Sequence, residues 1–473
     1  MESPLHSPMA ACTNRPPTRE SLTQHIHNNG SCNPDARYGS CRDQRQQEHQ
    51  MKSAYATDAP QPGMKADLLK YARLILTKGS GAGATLGLNI LLARLLVPEL
   101  AGTVFFCVAL GIFLSLLARL GLDIACLKTI SSLQDERQRS YFDRALTLCA
   151  LMNIPAFLIG LAVVYFSKTT QPYFAHAAVL FAVTALGLSL LSIASETLKA
   201  KHKTSEGLFW QTAFQPALTL FLVAITGNDL TTVVTCFVAS YGLAILGSIW
   251  RARTSLPSSG SEPALGWRAM LVLCVPLMLI AIMNSIIELS DTLLLGVLRS
   301  ASEVSVYYIA AKIAALSTTL LFIINGTIAP DISKRWARND RAGAFAIVRK
   351  YSRFMLALAL MILLAIGLLR EYILAVFGPE YREQGVYPLL VLAVGYFFVL
   401  AAGPLGIFMT MTGNHRRYLH NNIAACVINL VLNLILIPRY GVNGACFATA
   451  VALAIKNTLL YVQFKNIERS PTP

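Results

Sequence analysis

Four basic residues, Arg94, Arg119, Lys312 and Lys456, stand inside long apolar stretches of this sequence, together with the carboxylates Glu288 and Asp291. Where such a stretch is greasy enough to lie in lipid, an ionisable group costs about 2.5–3.5 kcal/mol on insertion scales and is kept facing a cavity or a partner. The chemistry on offer is binding and ion transfer. A guanidinium is a planar, permanently charged fork suited to phosphate, an ammonium is a point charge, and a buried carboxylate can take up a proton or a cation. Arg119 is followed at i+4 by Asp123, a pattern that reads either as a phosphate-binding cation in the inner half of the membrane or as a local ion pair near the interface. Asn284, Glu288 and Asp291 recur at i, i+4 and i+7, which places them on one helical stripe. Asp291 lies eight residues before Arg299 and Lys312 eight after Val304, on two stretches joined by a short turn. The two are therefore expected at similar depth, paired across helices, either as a coupling group or as structural glue. Arg94 is close enough to the end of its stretch to snorkel or to meet an anionic ligand, and Lys456 is deeper. Asn429 and Asn433, four apart, are expected to hydrogen-bond between helices, with ligand contact the secondary reading.

These groups need elements to hold them. Hydrophobic residues make up 54% of the 473, charged residues only 14%, and mean hydropathy is +0.52. Those values lie outside the usual range of soluble domains and indicate a membrane protein. Residues 1–63 are rich in His, Gln, Asn, Ser, Pro and Arg, with no apolar run, and read as a disordered tail. Met64 opens the amphipathic basic segment "MKADLLKYARLILTKG", so it is a candidate translation start. Beyond it, continuous Leu- and Ala-rich runs of the roughly 20 residues needed to cross a bilayer recur about twelve times. They do not alternate as barrel strands do, so the expected fold is all-α and integral to the membrane.

The net charge of +15 is distributed as a topology signal, not as a nucleic-acid patch. Counting runs alternately, 25 Lys and Arg fall on one side and five on the other, which puts both termini in the cytoplasm and requires an even number of spans. A faint repeat supports the same organisation. "PELAGTVFF" matches "ASEVSVYYI", with Gly102 opposite Ser305, and 201–227 aligns with 415–441, pairing Gln215 with Asn429 and Thr219 with Asn433. The expected organisation is two six-helix bundles, 64–255 and 256–473, related by an axis along the membrane normal with a path between them.

The stretch "MTGNHRRYLHNNIAACVINLVLNLILIPRYGVNGACFATAVALAIKN" resembles the C-terminal signature of bacterial polysaccharide exporters. "ARLLVPELAGTVFF", "LARLGLDIACLK", "DTLLLGVLRSASEVSVYYIAAKI" and "GTIAPDISKRW" are similar to helix regions of Wzx-type flippases, so the likeness runs from about Lys65 to Lys465. One departure is Ser305, where the family usually has Gly. The resemblance implies a V-shaped exporter of the multidrug/oligosaccharidyl-lipid/polysaccharide superfamily in the bacterial inner membrane. It further implies a lipid-linked glycan on an undecaprenyl-pyrophosphate carrier, flipped by alternating access for surface polysaccharide such as O-antigen, with polysaccharide polymerase and assembly proteins as partners beside membrane lipid. On that reading Arg119, Arg94 and Lys312 bind substrate, Asp291, Glu288 and Asp123 couple an ion or gate, and Asn284 and Lys456 are subsidiary.

Other classes are less well served by the residues. An ion-coupled drug or metabolite antiporter of the same superfamily is the nearest alternative. A membrane-embedded glycan polymerase or ligase needs a larger catalytic loop than Glu371 to Tyr387, and a scaffold gives no reason for the intramembrane charges. The ten Cys are scattered without CxxC or His partners at ligand spacing, so neither a metal, another cofactor nor a disulfide framework is expected. No Gly-Lys phosphate loop occurs, which leaves an ion gradient or consumption of the glycan on the far side as the source of energy.

Overall fold

The computed structural model describes residues 64–133, 135–227, 229–257 and 267–469. The tail 1–63 lies outside the described residues. The described residues form helices with short connections and no strand. In chain order these are α1 (Met64–Leu95), α2 (Pro98–Arg119), α3 (Leu122–Ser132), α4 (Asp135–Phe166), α5 (Phe174–Ala200), α6 (Thr204–Thr226), α7 (Leu230–Thr254), α8 (Trp267–Leu298), α9 (Ala301–Leu316), α10 (Thr318–Ala337), α11 (Arg341–Ala375), α12 (Pro379–Gln384), α13 (Val386–Ala402), α14 (Leu405–Met411) and α15 (His415–Arg469). Helices are the expected outcome for continuous apolar runs, because only local hydrogen bonding satisfies every backbone group away from water.

Eight segments among the described residues are long and apolar enough to cross a membrane, and the pair α13 and α14, bent by 44°, makes a ninth. The remaining expected crossings fall on α1, α8 and the second limb of α15. That 55-residue helix is interrupted at Gly441, whose φ of 55° and ψ of −131° break it into residues 415–440 and 442–469. Pro438 and Gly441 thus end one crossing and start the next, and the Glu303 carboxylate receives the Val442 N–H at 3.1 Å, serving a donor that the break leaves free. A second break follows Arg119, where Leu120 (φ 52°) and Gly121 (φ 80°) turn the chain from α2 into α3. In α6, residues Phe209–Phe214 form a π-helical turn, one residue wider per turn than an α-helix, which aims Gln211 at α5.

The core joins both halves of the chain. Phe105, Phe106, Leu110 and Leu114 of α2 pack with Phe181 of α5, Leu295 of α8 and Tyr308 of α9 in one buried cluster. At the end where α1 turns into α2 the halves meet at backbone distance. A Cβ built on Gly102 would stand 2.5 Å from the carbonyl carbon of Ala301 and 3.1 Å from its Cα. Ser167 Oγ donates to the Gly296 carbonyl at 2.5 Å, and Arg94 Nε donates to the Val376 carbonyl at 2.6 Å. At the opposite end, which carries the basic clusters, the contacts are between side chains. Lys78 Nζ lies 3.3 Å from the centroid of the Phe322 ring, and Cys126 of α3 shares a cluster with Met270 and Cys274 of α8.

Candidate functional site: charged and polar groups within the helix bundle

Asp291 on α8 is 1% exposed. Its Oδ2 accepts from Tyr307 OH at 2.6 Å and from Thr449 Oγ1, and its Oδ1 accepts from Asn429 Nδ2 at 3.2 Å and from Asn433 Nδ2. Ser290 Oγ donates at 2.8 Å to Asn429 Oδ1 and so fixes that amide. The two Asn therefore do bond between helices, as their spacing suggested, but the acceptor is a carboxylate. Four neutral donors surround one anion, and Asn433 Oδ1 is buried without a partner. Buried charge is tolerated when it is paired or fully hydrogen-bonded, and here the second solution is used.

The expected Asp291–Lys312 pair is not formed. Tyr307 takes the position facing Asp291, and Lys312, five residues further along α9, points about 140° away around the helix. Its ammonium lies 5.1 Å from the Tyr308 ring centroid and lines a cavity of about 250 Å³ between α1, α2, α6 and α9. The predicted stripe also divides: Asp291 is buried, Glu288 is exposed, and the side chain of Asn284 lies outside the described residues.

Arg119 and Asp123 meet at 3.0 Å, although the break at Leu120–Gly121 puts them on different helices. Arg119 Nε also donates to the Ser115 carbonyl at 3.1 Å and Nη1 to Ser192 Oγ at 2.8 Å, with 12% of the side chain exposed. From Ser192 the network continues. Gln211 Nε2 donates to Ser192 Oγ at 3.1 Å, while Gln211 Oε1 accepts from Ser195 Oγ at 3.1 Å and from Lys199 Nζ at 3.2 Å. Lys199 pairs in turn with Glu196 at 2.7 Å. Sequence reasoning counted Lys199 among basic loop residues and missed Ser192, Glu196 and Gln211. The signal was present in "SLLSIASETLK", where Ser192, Ser195, Glu196 and Lys199 share one face at helical spacing.

Arg94 is exposed and serves the clasp between the halves through Val376, away from the cavity lined by Lys312. Lys456 is half-buried, with no hydrogen bond or ion pair to the described residues. Together the interior offers a fixed carboxylate cage on α8, α9 and α15, an unpaired ammonium in a cavity, and a cation network at the basic end. Such an arrangement is chemically able to bind ions and anionic groups.

Comparison with known proteins agrees with this architecture. The family model described as polysaccharide biosynthesis protein matches residues 70–336, more than half of the chain, and a MatE model matches 276–435. Over 175 residues the chain is 24% identical to the probable low-salt glycan biosynthesis flippase Agl15 of Haloferax volcanii, a match that spans only 37% of either protein. Among solved structures, the lipid II flippase MurJ in an inward closed conformation superposes with a TM-score of 0.70 at 14% identity, covering 84% of this chain and 87% of that one. An inward-facing multidrug resistance MATE transporter scores 0.69 at 13% identity over 82% and 96% of the two chains, and an outward-facing one 0.55 at 13% over 85% and 96%. The fold is thus the V-shaped twelve-helix exporter fold of those structures, and the protein is a multi-pass membrane protein. By the extent of the family match, the chain belongs to the polysaccharide biosynthesis protein family.

Proposed function

We propose that this protein flips a lipid-diphosphate-linked oligosaccharide, on an undecaprenyl-type carrier, from the cytoplasmic to the periplasmic leaflet of a bacterial inner membrane, by alternating access between the halves 64–255 and 256–473. The observation that carries this reading is Lys312. Its ammonium lies within the helix bundle beside a cavity shared by both halves, with no carboxylate in ion-pair reach among the described residues. A cation retained at a cost of about 2.5–3.5 kcal/mol fits a path for an anion. Basic loops on one side set the cytoplasmic face and put both termini there. The α1/α2 end, clasped at backbone distance, is then the periplasmic gate, with Arg94 as one of its fasteners.

On this reading Arg119 is the entrance station. The diphosphate exchanges with Asp123 on a guanidinium already aimed by Ser115 and Ser192, so Asp123 gates the cation in the empty state. Asp291 is the coupling group. Its cage contains no positive charge, and uptake of a proton or a small monovalent cation would neutralise the carboxylate. After an amide flip the orphan Asn433 Oδ1 supplies an acceptor for that proton or a ligand for that cation. Exposed Glu288, one turn earlier on α8, is placed to relay the ion.

The test is a strain whose own gene is replaced by variants at equal abundance, with surface glycan and the lipid-linked intermediate both quantified. Lys312→Met should abolish surface glycan and accumulate the intermediate, and Lys312→Arg should restore part of the export. Normal export from Lys312→Met would refute the proposal. An ion-coupled antiporter for a soluble metabolite would instead leave the lipid-linked intermediate unchanged in every variant.

A further inference from the structure

The cavity that Lys312 lines also has an uncharged polar wall that the transport reading does not use. Asn89 of α1 is 6% exposed and forms no hydrogen bond with the described residues, yet it lies in the lining. Gln215 of α6 is 7% exposed. Its Nε2 donates to Thr219 Oγ1 at 2.9 Å, while its Oε1 has no donor. Across the cavity the rings of Phe105 and Tyr308 stack with centroids 4.5 Å apart and planes 11° from parallel, and Lys312 sits beside the same Tyr308. Unlike Asn433 Oδ1, the Asn89 amide is not sealed off: it opens onto the cavity, where a ligand can supply both donors and acceptors.

The volume narrows the choice. About 250 Å³ exceeds the ~150 Å³ cavity known to take one benzene ring, so it admits one sugar ring with its hydroxyls and not a whole oligosaccharide. Hydroxyls would satisfy the two amides, the C–H face of a ring would lie against the aromatic wall, and an attached phosphate would meet the ammonium.

We propose that this cavity is a subsite for the first sugar of the lipid-linked glycan, read by Asn89 and Gln215 while Lys312 holds the phosphate attached to that sugar. The proposal rests on the flippase reading above and adds the part of the substrate that the site distinguishes. It follows that selection acts on the diphosphate-proximal sugar, with the outer sugars left outside the recognised volume.

The experiment measures binding to the full-length protein in lipid nanodiscs, using undecaprenyl diphosphate alone and the same lipid carrying one N-acetylhexosamine or one hexose. The wild type should bind one of the two glycosylated lipids about threefold to tenfold more tightly than the bare lipid, the increment of one or two net hydrogen bonds. Asn89→Leu and, separately, Gln215→Met should remove part or all of that increment and leave affinity for the bare lipid unchanged, which also shows that each variant is folded. Lys312→Met should weaken all three lipids. A wild type with no preference for either sugar, or variants that keep the full preference, would overturn the subsite while leaving the phosphate station standing. Lys312→Met with undiminished affinity for the bare lipid would overturn the reading beneath it, and the subsite as drawn with it.

Discussion

Gly102→Ala should prevent the two halves from closing at the α1/α2 end. The added methyl would stand 2.5 Å from the carbonyl carbon of Ala301 and 3.1 Å from its Cα, where ordinary contact is about 3.5–4.0 Å. The obstructing atoms are backbone and cannot rotate away. Overpacking of this kind costs about 1–3 kcal/mol, and here the cost falls on the clasped state alone, because opening separates Gly102 from Ala301. The equilibrium should move toward the open state by about 5- to 150-fold. A single cysteine at Thr85, in the lining of the cavity, reports the change in an otherwise Cys-free chain. Its labelling by a membrane-impermeant maleimide added outside intact cells should rise by at least fivefold in the Gly102→Ala background, and glycan export should fall. Unchanged labelling with normal export would show that Gly102 and Ala301 do not form a gate. Equal labelling with lost protein would point to misfolding, which immunoblotting of the membrane fraction would reveal.

Arg119→Ala should stop export at near-normal protein levels, and Arg119→Lys should recover only part of it, since an ammonium cannot make the forked contact; full activity of the alanine variant would reduce Arg119 to a structural pair with Asp123. Asp291→Asn should keep the protein folded but uncoupled from any proton or sodium gradient in proteoliposomes, whereas Asp291→Ala should also lower thermal stability, since up to four donors lose their acceptor at about 1–3 kcal/mol each; gradient-dependent transport by Asp291→Asn would exclude it as the coupling group. Cysteine at Ser302 should react with an impermeant reagent from outside and cysteine at Asn339 should not, and the reverse pattern would invert the topology. Asp340 caps α11, accepting from the Gly343 N–H at 2.8 Å and from Arg335 at 2.7 Å, and these bonds, the backbone one first, hold its carboxyl below the ordinary value. Any stability from this cap is complete above the usual Asp range near pH 4 and is lost as pH falls through the lower folded value, so the melting difference between wild type and Asp340→Ala should be flat from pH 7 to 5 and disappear only in stronger acid; a difference that changes above pH 5 would refute the assignment.

Continuous apolar runs and the breaks between them were legible because each is a local property. Pro98, Gly441 and the Ser300 cap mark helix ends through backbone chemistry that a single stretch of sequence carries. Depth was legible only coarsely: counting residues from the turn set Asp291 level with Lys312, whereas its true partner is Tyr307, five residues or about 7.5 Å nearer the turn along α9. Facing was not. Whether Tyr307 or Lys312 meets Asp291 depends on the rotation of α9, and that is set by its contacts with α2 and α13, elements far away in the chain. The same limit hid Asn89 and Gln215, whose uncharged amides look like any packing residue until the cavity beside them is seen. The repeat offered one clue. In the register that sets Gly102 opposite Ser305, Asp291 falls opposite Leu88, while Gln215 and Thr219 occupy the places of Asn429 and Asn433. The first half keeps one amide, Gln215, and a hydroxyl at Thr219, but has no carboxylate for them to cage, which leaves Gln215 free to face the cavity.

Flipping itself is the direct measurement. Purified full-length protein is reconstituted into proteoliposomes with an undecaprenyl diphosphate-linked oligosaccharide in both leaflets, and the glycan exposed outside is cleaved with an impermeant glycosidase. Wild-type vesicles should expose the protected half over time, faster under an imposed proton or sodium gradient, while Lys312→Met vesicles should hold it at the level of protein-free controls. Wild-type vesicles that protect half of the glycan indefinitely under every gradient, or Lys312→Met vesicles that flip as fast as wild type, would contradict the account.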